Sequence, residues 1–367
     1  MAFVIEPPVE PMLAKLAREF PVQPGLIFEP KWDGFRCLVF RSGDELYLQS
    51  RNAKPLLRYF PELRAPLLEG LPDRCVFDGE LVVIADEGLS FDALQLRQHP
   101  ADSRVRRLAE EIPATFVAFD VLAAEGEVLL NVPFATRRER LVAMARRWQR
   151  PLILTPATAA PAVGADWFDR FEGAGFDGVI AKPEGGRYEP GRRSLIKVKH
   201  ERTCDCVVAG YRIHKDGAGV GSLLLGLHDD EGRLHHVGVA ASLDAATRGS
   251  LLAVVEALRE GALADHPWRD WAEFAAPGSV HDDPDAPELR ADRRMPGAGN
   301  RWNAAKDMSW LPVRRELVAE VAYEGLMGGR FRHNARLRRL RRDRDPESCT
   351  YRQLDAVTPN ELSALLG

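Results

Sequence analysis

The sequence predicts two domains, a mixed α+β domain of residues 1–202 followed by an all-β domain of residues 203–367. Three observations support this prediction. A chain of 367 residues is long enough for two hydrophobic cores. The first part combines many short apolar runs with two stretches of helical pattern, at 136–148 and 167–175. From about Thr203 the pattern changes to short apolar runs separated by glycine-containing turns.

The second domain is predicted to be a small barrel. Its strands and single helix are predicted at residues 206–213, 222–228, 234–239, 245–259 (the helix) and 317–323. The glycine-rich segment 215–221 lacks the strand-to-helix context of a phosphate-binding loop, so a hairpin loop is predicted there. Residues 267–299 are polar and rich in proline and glycine, which predicts an extended loop. About five short strands with Greek-key spacing fit an OB-fold barrel.

The composition is that of an ordinary globular protein, with 45% hydrophobic and 28% charged residues. No stretch approaches the roughly 20 apolar residues of a membrane helix, and residues 1–11 lack the pattern of a signal peptide. Cys204 and Cys206 have no second cysteine pair nearby, which favours reduced thiols over a zinc site. We therefore expect a cytoplasmic monomer that is not associated with a membrane.

Positive charge is concentrated in two places, although the formal net charge is -4. The overall balance argues mildly against nucleic-acid binding, but affinity depends on where the charges cluster. The predicted helix at 136–148 carries arginines that we assign to an exposed face: Arg137, Arg138, Arg140, Arg146 and Arg147. The stretch from Arg330 to Arg344 carries eight arginines interleaved with apolar residues, which favours packed structure over a solvated helix or tail.

Lys31 is the leading candidate for a reactive side chain. It begins the tetrad Lys31-Trp32-Asp33-Gly34, between apolar runs at 26–28 and 37–40. This pattern predicts a strand, a tight turn and a strand, with the lysine at the turn of a buried hairpin. A desolvated amine near other cations can act as a nucleophile, because both conditions favour its neutral form. The alternative is a surface turn with an exposed lysine.

Five further segments follow Lys31 in a characteristic order. Each places an acid, an arginine or a lysine in a predicted strand or turn. They are Ser50-Arg51-Asn52, Phe77-Asp78-Gly79-Glu80-Leu81-Val82-Val83, Val117-Ala118-Phe119-Asp120-Val121-Leu122, Asp177-Gly178-Val179-Ile180-Ala181-Lys182 and Ser194-Leu195-Ile196-Lys197-Val198-Lys199. Alternation in the last segment puts its two lysines on one face of a strand.

Together with Lys31, these segments resemble the successive motifs of the covalent nucleotidyltransferase superfamily, which joins polynucleotide ligases and mRNA capping enzymes. The stretch from Gly329 to Pro346 is similar to the final motif of ATP-dependent DNA ligases, particularly the compact bacterial DNA ligase C type. The resemblance runs from about Phe28 to about Tyr351. It implies an ATP-grasp-like DNA ligase adenylation fold in the first domain and an OB-fold in the second.

The resemblance also implies the reaction. An ATP-dependent DNA ligase seals nicks between a 3′-hydroxyl and a 5′-phosphate in DNA repair, through a lysyl-AMP intermediate that would form on Lys31. ATP and Mg2+ would be its cofactors. Nicked double-stranded DNA would be the substrate, a primase-polymerase and the Ku end-binding protein would be candidate partners, and the protein would be associated with the nucleoid.

Roles for individual residues follow from the same resemblance. The expected ATP contacts are Glu29 (adenine amine), Phe119 (purine stacking), Arg36 and Arg51 (ribose or phosphate), Glu80 (ribose), Arg193, and Lys197 and Lys199 (α-phosphate). Glu80 and Asp177 are the expected metal ligands. The expected pyrophosphate or DNA contacts are Arg332, Arg339, Arg341, Asp343 and Arg344. A structural salt bridge is the alternative role for Arg36, Arg193 and Lys182.

Two positions depart from the family pattern. Asp177 stands where glutamate is usual, and Arg344 stands where the closing motif has lysine. Two alternative functions remain open at this point: an RNA ligase or capping-type guanylyltransferase, and a non-catalytic OB-fold DNA-binding protein. Glu29 and the arginine-rich final motif favour ATP and DNA.

Overall fold

The structure is a computed structural model, and it describes residues 2–85, 88–171, 174–274 and 309–354. The chain divides into two compact units, with the division between His200 and Glu201. No helix in these described ranges is long and apolar enough to cross a membrane.

The described part of the first unit contains twelve strands and five α-helices. The strands are β1 (Ala14–Leu16), β2 (Leu26–Pro30), β3 (Phe35–Ser42), β4 (Glu45–Ser50), β5 (Cys75–Val82), β6 (Ile84–Ala85), β7 (Gly88–Leu89), β8 (Thr115–Ala124), β9 (Glu127–Val128), β10 (Leu152–Leu154), β11 (Val179–Pro183) and β12 (Leu195–Val198). The helices are α1 (Arg64–Gly70), α2 (Phe91–Leu96), α3 (Asp102–Glu111), α4 (Phe134–Ala145) and α5 (Pro161–Arg170).

Two sheets organise this unit. The larger has the order β10-β8-β5-β3-β4 with β9 against β8, and the smaller has the order β1-β12-β11-β2. Alternate residues of the larger sheet face two different cores. On one face Val39 and Phe77 pack with Leu141 of α4. On the other face Leu38 packs in a cluster that includes Leu195 of the smaller sheet, so both faces are buried.

The predicted hairpin around Lys31 is wrong. Strands β2 and β3 do not pair with each other: β2 pairs with β11 in the smaller sheet, and β3 pairs with β4 and β5 in the larger sheet. Lys31 therefore lies where the chain crosses between sheets. Gly34 serves a close approach there, because a Cβ at this position would lie 2.1 Å from the carbonyl oxygen of Leu81.

The helix predictions for this unit were incomplete. Helices α4 and α5 begin earlier than the predicted stretches 136–148 and 167–175 and end at Ala145 and Arg170. Helices α1, α2 and α3 were not predicted. They are short and are stabilised by packing of a few residues, such as Val105 and Leu108 of α3.

The described part of the second unit contains seven strands and two α-helices. The strands are β13 (Arg202–Ile213), β14 (Val220–His228), β15 (Leu234–Ala240), β16 (Leu311–Tyr323), β17 (Leu326–Met327), β18 (Arg330–Phe331) and β19 (Arg336–Leu340). The helices are α6 (Ala245–Glu256) and α7 (Arg269–Phe274). Single-turn 3₁₀ helices occupy Leu57–Tyr59 and Pro61–Leu63 in the first unit, and Pro346–Ser348 and Tyr351–Leu354 in the second.

The second unit has an OB-type strand order, β15-β14-β13-β16-β19, with every neighbouring pair antiparallel. The two edge strands meet at one parallel bridge between Ala240 and Ala335. The described residues therefore form a five-stranded sheet whose two ends touch at this bridge, without full closure, as in the predicted OB-fold. Partly open barrels are usual for OB-folds.

One loop prediction in this unit was partly wrong. The predicted extended loop at 267–299 begins with helix α7, because Trp268 and Trp271 are buried in the core of the unit. The indole nitrogen of Trp268 also donates to the carbonyl oxygen of Leu234 over 2.9 Å. The rest of that prediction, from residue 275 onward, lies outside the described residues.

Candidate active site

Lys31 is fixed by main-chain hydrogen bonds that extend the pairing of β2 with β11. Its amide donates to the carbonyl oxygen of Gly178 over 2.8 Å, and its carbonyl oxygen accepts from the amide of Asp177 over 3.0 Å. The two side chains consequently face each other. Lys31 Nζ lies 2.6 Å from Asp177 Oδ2, and Lys199 Nζ lies 2.9 Å from the same oxygen.

This group of two lysines and one aspartate is largely shielded from solvent, with side-chain exposures of 21% for Lys31 and 19% for Asp177 and Lys199. Burial opposes ionisation of Asp177, but the Lys31 and Lys199 ammonium groups together hold the pKa of its carboxyl below its ordinary value. Asp177, expected from the resemblance to bind metal, is thus the counter-ion of both lysines in the structure. The negative charge of Asp177 offsets the repulsion between the two ammonium groups.

Glu29 lies in a buried cluster next to Phe119. The Glu29 side chain is 3% exposed, and its Oε2 lies 2.7 Å from Lys182 Nζ. Lys182 also donates to the carbonyl oxygen of Phe119 over 2.9 Å, and its ammonium lies 4.7 Å from the centre of the Phe119 ring. Lys182 therefore joins the predicted adenine acceptor to the predicted purine-stacking ring.

Arg36 is held by a second buried carboxylate. Its Nε and Nη2 each donate to Asp78 over 2.5 Å, and its guanidinium lies 4.5 Å from the centre of the Phe119 ring. The hydroxyl of Tyr188 donates to Asp78 Oδ2 over 2.6 Å. Asp78 and Tyr188 were not predicted as site residues. The signal for Asp78 was its place two residues before Glu80 in a buried strand, whereas nothing in the sequence indicates Tyr188.

Glu80 faces the same region from β5, where it is the register partner of Arg36 in β3. Burial raises the pKa of the Glu80 carboxyl to about 7, although the charges of Arg36 and Lys31 oppose the shift. A carboxyl in this state binds a proton or a cation readily near neutral pH. No group of three potential metal-binding side chains occurs among the residues that the structure describes.

The remaining predicted ATP contacts are less enclosed. Arg51 is exposed in the turn after β4. Arg193 is exposed, and its Nη1 donates to the carbonyl oxygen of Ala14 over 3.4 Å. Lys197 is half-buried in β12, opposite Ile180 of β11 and Leu16 of β1. Arg51 thus lies in a turn of the larger sheet, whereas Lys197 lies in the smaller sheet and Arg193 lies beside it.

The arginines of the final motif belong to the second unit, in strand β19 and the turn after it. Arg341 pairs with Asp205 at 3.2 Å and with Asp343 at 2.8 Å. Its hydrogen bonds hold the pKa of the Asp343 carboxyl at about 2. Arg344 lies 3.5 Å from Asp205, and Arg339 pairs with Glu320 at 2.7 Å. The half-buried Arg332 donates its amide to the carbonyl oxygen of Gly325 over 2.9 Å.

Two arginines of α4 contradict the prediction of an exposed face. Arg137 is fully buried and pairs with Asp120, and the Arg138 side chain is 11% exposed beside Glu29. Helical spacing predicts which side chains share a face of α4, but it does not predict that buried carboxylates lie opposite one of those faces. Arg138 and Lys182 are the charged residues near Glu29 that the set of predicted site residues omitted.

The fold and this site define a class of protein. A lysine amine with a carboxylate and a second lysine at its side, next to an aromatic ring and a buried glutamate, is suited to covalent transfer of a purine nucleotide. An OB-type unit follows in the same chain. These are the features of a covalent nucleotidyltransferase of the polynucleotide ligase kind.

Comparisons with known proteins give the family. A family model described as the ATP dependent DNA ligase domain matches residues 11–199. The chain is 50% identical over 360 residues to DNA ligase C2 of Mycolicibacterium smegmatis, covering 97% of each. It is 39% identical over 206 residues to a multifunctional non-homologous end joining DNA repair protein, LigD of Mycobacterium tuberculosis, covering 54% of this chain and 25% of that one. The chain belongs to the family of ATP-dependent DNA ligases.

Solved structures agree on the fold. A structure from work on DNA binding by minimal Lig E DNA ligases has a TM-score of 0.53 and 15% sequence identity, covering 90% of this chain and 98% of that one. The predicted family, its resemblance to DNA ligase C, the fold class and the enzyme class are therefore confirmed. The family also favours a DNA ligase over the RNA ligase, guanylyltransferase and non-catalytic alternatives.

Proposed function

We propose that this enzyme seals nicks in duplex DNA through three transfers that begin at Lys31. The ammonium of Lys31 first gives up a proton to water, and the resulting amine attacks the α-phosphorus of ATP. A nitrogen–phosphorus bond forms, the bond to pyrophosphate breaks, and a second proton leaves the nitrogen. AMP then passes to the 5′-phosphate of the nick. Finally the 3′-hydroxyl attacks that activated phosphate and AMP leaves. The convergence of Lys31 and Lys199 on Asp177 Oδ2 is the observation that carries this proposal.

The pairing suggests how the first transfer is arranged. Asp177 orients Lys31, while Lys199 supplies a positive charge beside the nitrogen where phosphate oxygens gain negative charge. The lowered pKa of Asp177 keeps it an anion, so it serves better as an orienting group than as a proton acceptor. We assign Lys197, Arg51 and Arg193 to further phosphate or ribose contacts, as the resemblance implies.

The opposite end of the nucleotide would lie at Glu29 and Phe119. Glu29 Oε1 is buried and has no hydrogen-bond partner within the described residues, although Oε2 is paired with Lys182. A buried carboxylate oxygen in this state is suited to accept from an amino group. Adenine carries an amino group at position 6, where guanine carries an oxygen. This supports ATP as the nucleotide.

We also propose Mg2+ as a cofactor, with Glu80 and Asp177 as its protein ligands. Mg2+ prefers oxygen ligands and keeps several waters, so one or two carboxylates suffice. Glu80 fits this role because burial raises the pKa of its carboxyl, and a bound cation would stabilise the charged form. When bound, the ion would neutralise phosphate charge during the transfer.

The substrate and setting are proposed on chemistry and on one relative. We assign Arg332, Arg339, Arg341 and Arg344 to pyrophosphate or DNA contacts, because guanidinium groups bind phosphates in a bidentate manner. Asp343 is assigned to the same group as the carboxylate that pairs with Arg341. The relative named for non-homologous end joining DNA repair supports a role in DNA repair. Association with the nucleoid is proposed from the DNA substrate alone. Ku and a primase-polymerase are proposed partners.

The nucleotide and the substrate can be tested together. We expect the protein to become labelled on Lys31 by α-labelled ATP and not by α-labelled GTP, and the labelled protein to seal a nicked duplex. Peptide mapping of the label and a gel assay of the sealed strand measure these steps. Transfer of GMP to Lys31, or sealing of nicked RNA in preference to nicked DNA, would contradict the proposal.

The metal proposal predicts a changed magnesium requirement. Glu80→Gln should raise the Mg2+ concentration for half-maximal adenylylation roughly tenfold, because a carboxylate ligand is replaced by a neutral amide. A Mg2+ titration of Lys31 labelling measures this, with the exposed carboxylate variant Glu45→Gln as the control. If Glu80→Gln and wild type show the same requirement, Glu80 is not a ligand of the ion.

A further inference from the structure

Arg138 and Glu29 present an unusual pair of atoms next to the proposed adenine position. Arg138 Nη1 and Glu29 Oε1 lie 3.5 Å apart, and neither forms a hydrogen bond with the residues that the structure describes. Both side chains are nearly buried, with exposures of 11% and 3%. Burying an unsatisfied donor and an unsatisfied acceptor is costly, so such a pair indicates a missing polar partner.

The other ends of both side chains are occupied, which fixes the direction of the unpaired atoms. Arg138 Nη2 donates to the carbonyl oxygen of Thr155. Glu29 Oε2 lies 2.7 Å from Lys182 Nζ. The neighbouring Arg137 shows the contrast, because it makes two 2.8 Å hydrogen bonds to Asp120 and donates to two backbone carbonyl oxygens. Arg137 is thus a structural residue, whereas Nη1 of Arg138 is a donor without a hydrogen-bond acceptor among the described residues.

One donor beside one acceptor matches the edge of a purine. In adenine the 6-amino group, a donor, lies next to a ring nitrogen acceptor on both sides, N1 and N7. In guanine the order is reversed at N1, with an acceptor oxygen at position 6 and a donor at N1, and the N7 side offers acceptors alone. The order in which Glu29 and Arg138 meet the ring therefore distinguishes the two bases.

We propose that Arg138 is a specificity-determining residue that donates a hydrogen bond from Nη1 to N1 or N7 of adenine, while Glu29 accepts from the 6-amino group. This inference rests on the proposed function, in which adenine lies at Glu29 and Phe119. It adds a residue of α4 to the nucleotide site and gives the base a two-point contact. A second hydrogen bond increases the discrimination between adenine and guanine beyond what one acceptor provides.

Charge around Glu29 supports the same arrangement. Burial raises the pKa of the Glu29 carboxyl, and the positive charges of Lys182 and Arg138 oppose that shift. Arg138 therefore helps to keep Glu29 ionised, so that both of its oxygens are acceptors, one for Lys182 and one for the adenine amino group. Lys182 alone occupies one oxygen and leaves the other to the base.

The test uses analogues of ATP that lack one ring nitrogen. Wild type and Arg138→Met are compared in Lys31 adenylylation with ATP, 1-deaza-ATP and 7-deaza-ATP. For wild type we expect one of the two analogues to raise KM about ten- to a hundredfold, the usual range for loss of a charged hydrogen bond. Arg138→Met should raise KM for ATP by a similar factor and should no longer distinguish ATP from that analogue.

The controls separate a contact from a folding defect. KM ratios between nucleotides are measured within one preparation, so they do not depend on the fraction of folded protein. Arg140→Met, on the exposed side of α4 and paired with Glu127, should leave all three KM values unchanged. Equal KM values of wild type for ATP and both analogues would overturn the inference, as would undiminished discrimination in Arg138→Met.

The outcomes also separate this inference from the proposed function. If wild type is not labelled by ATP, the proposed function fails. If wild type is labelled normally but accepts both deaza analogues as well as ATP, the proposed function stands and the role of Arg138 fails. GTP serves as a fourth nucleotide, because a gain of GMP transfer in Arg138→Met relative to wild type would further support the inference.

Discussion

Replacing Lys31 with alanine is expected to abolish AMP transfer to the protein, by about four orders of magnitude or more, as for other catalytic nucleophiles. Lys31→Arg should be equally inactive, because a guanidinium keeps its proton at every accessible pH and has no lone pair for the phosphorus. Labelling with α-labelled ATP followed by gel electrophoresis measures the transfer. Lys15→Ala, at an exposed lysine of β1, should be labelled like wild type.

The same variant separates the nucleophile from the rest of the site. When AMP is already attached to the 5′-phosphate of a nick, Lys31 has no bond to make, and only the attack of the 3′-hydroxyl remains. Lys31→Ala should therefore still seal a pre-adenylylated nick. Normal labelling of Lys31→Ala by ATP would show that another residue is the nucleophile.

Replacing Arg137 with methionine is expected to lower the free energy of unfolding of the first unit by about 3–5 kcal/mol, the usual cost of breaking a buried ion pair. Arg137 and Asp120 are 0% and 2% exposed, so the substitution leaves a charged carboxylate without its partner in the interior. The variant also loses donors to the carbonyl oxygens of Val132 and Gly186. Urea denaturation of the variant measures the effect.

Helix α4 supplies a matched control for this prediction. Arg140 lies three positions along and pairs with Glu127, but these side chains are 41% and 58% exposed. Arg140→Met should change the free energy of unfolding by less than about 1 kcal/mol, because exposed pairs contribute little. If the two variants unfold at the same urea concentration, the buried pair does not stabilise the unit as argued.

The candidate site could be predicted from the sequence because its residues lie in short, ordered segments. Lys31, Glu80 and Asp177 each belong to a motif that is recognisable before the fold is known. The connection between those segments was not predictable. Two apolar runs on either side of Lys31 have the same pattern whether they pair with each other or with different strands, so a hairpin was predicted where the chain crosses between sheets.

Contacts between distant residues explain the other differences. Tyr188 and Asp78 are 110 positions apart, and only the packed structure brings that hydroxyl to that carboxylate. The arginines of α4 were assigned to solvent because arginine is usually exposed. Arg137 and Arg138 are exceptions, since buried acids from β8 and β2 lie within reach. An arginine of α4 is buried where a carboxylate from another element can pair with it, and the helical pattern alone does not show where that carboxylate lies.

The position of Lys31 between two sheets has a mechanical consequence. The main chains of Lys31 and Asp177 are hydrogen-bonded to each other at the end of the smaller sheet. Glu80, Arg36 and Phe119 belong to strands of the larger sheet. A small shift of one sheet along the other would change the distance between these two groups of side chains without breaking any hydrogen bond within a sheet. Trp32, which follows Lys31 in the chain, packs against Val82 and Val117 of the larger sheet and so holds the Lys31 segment against that sheet.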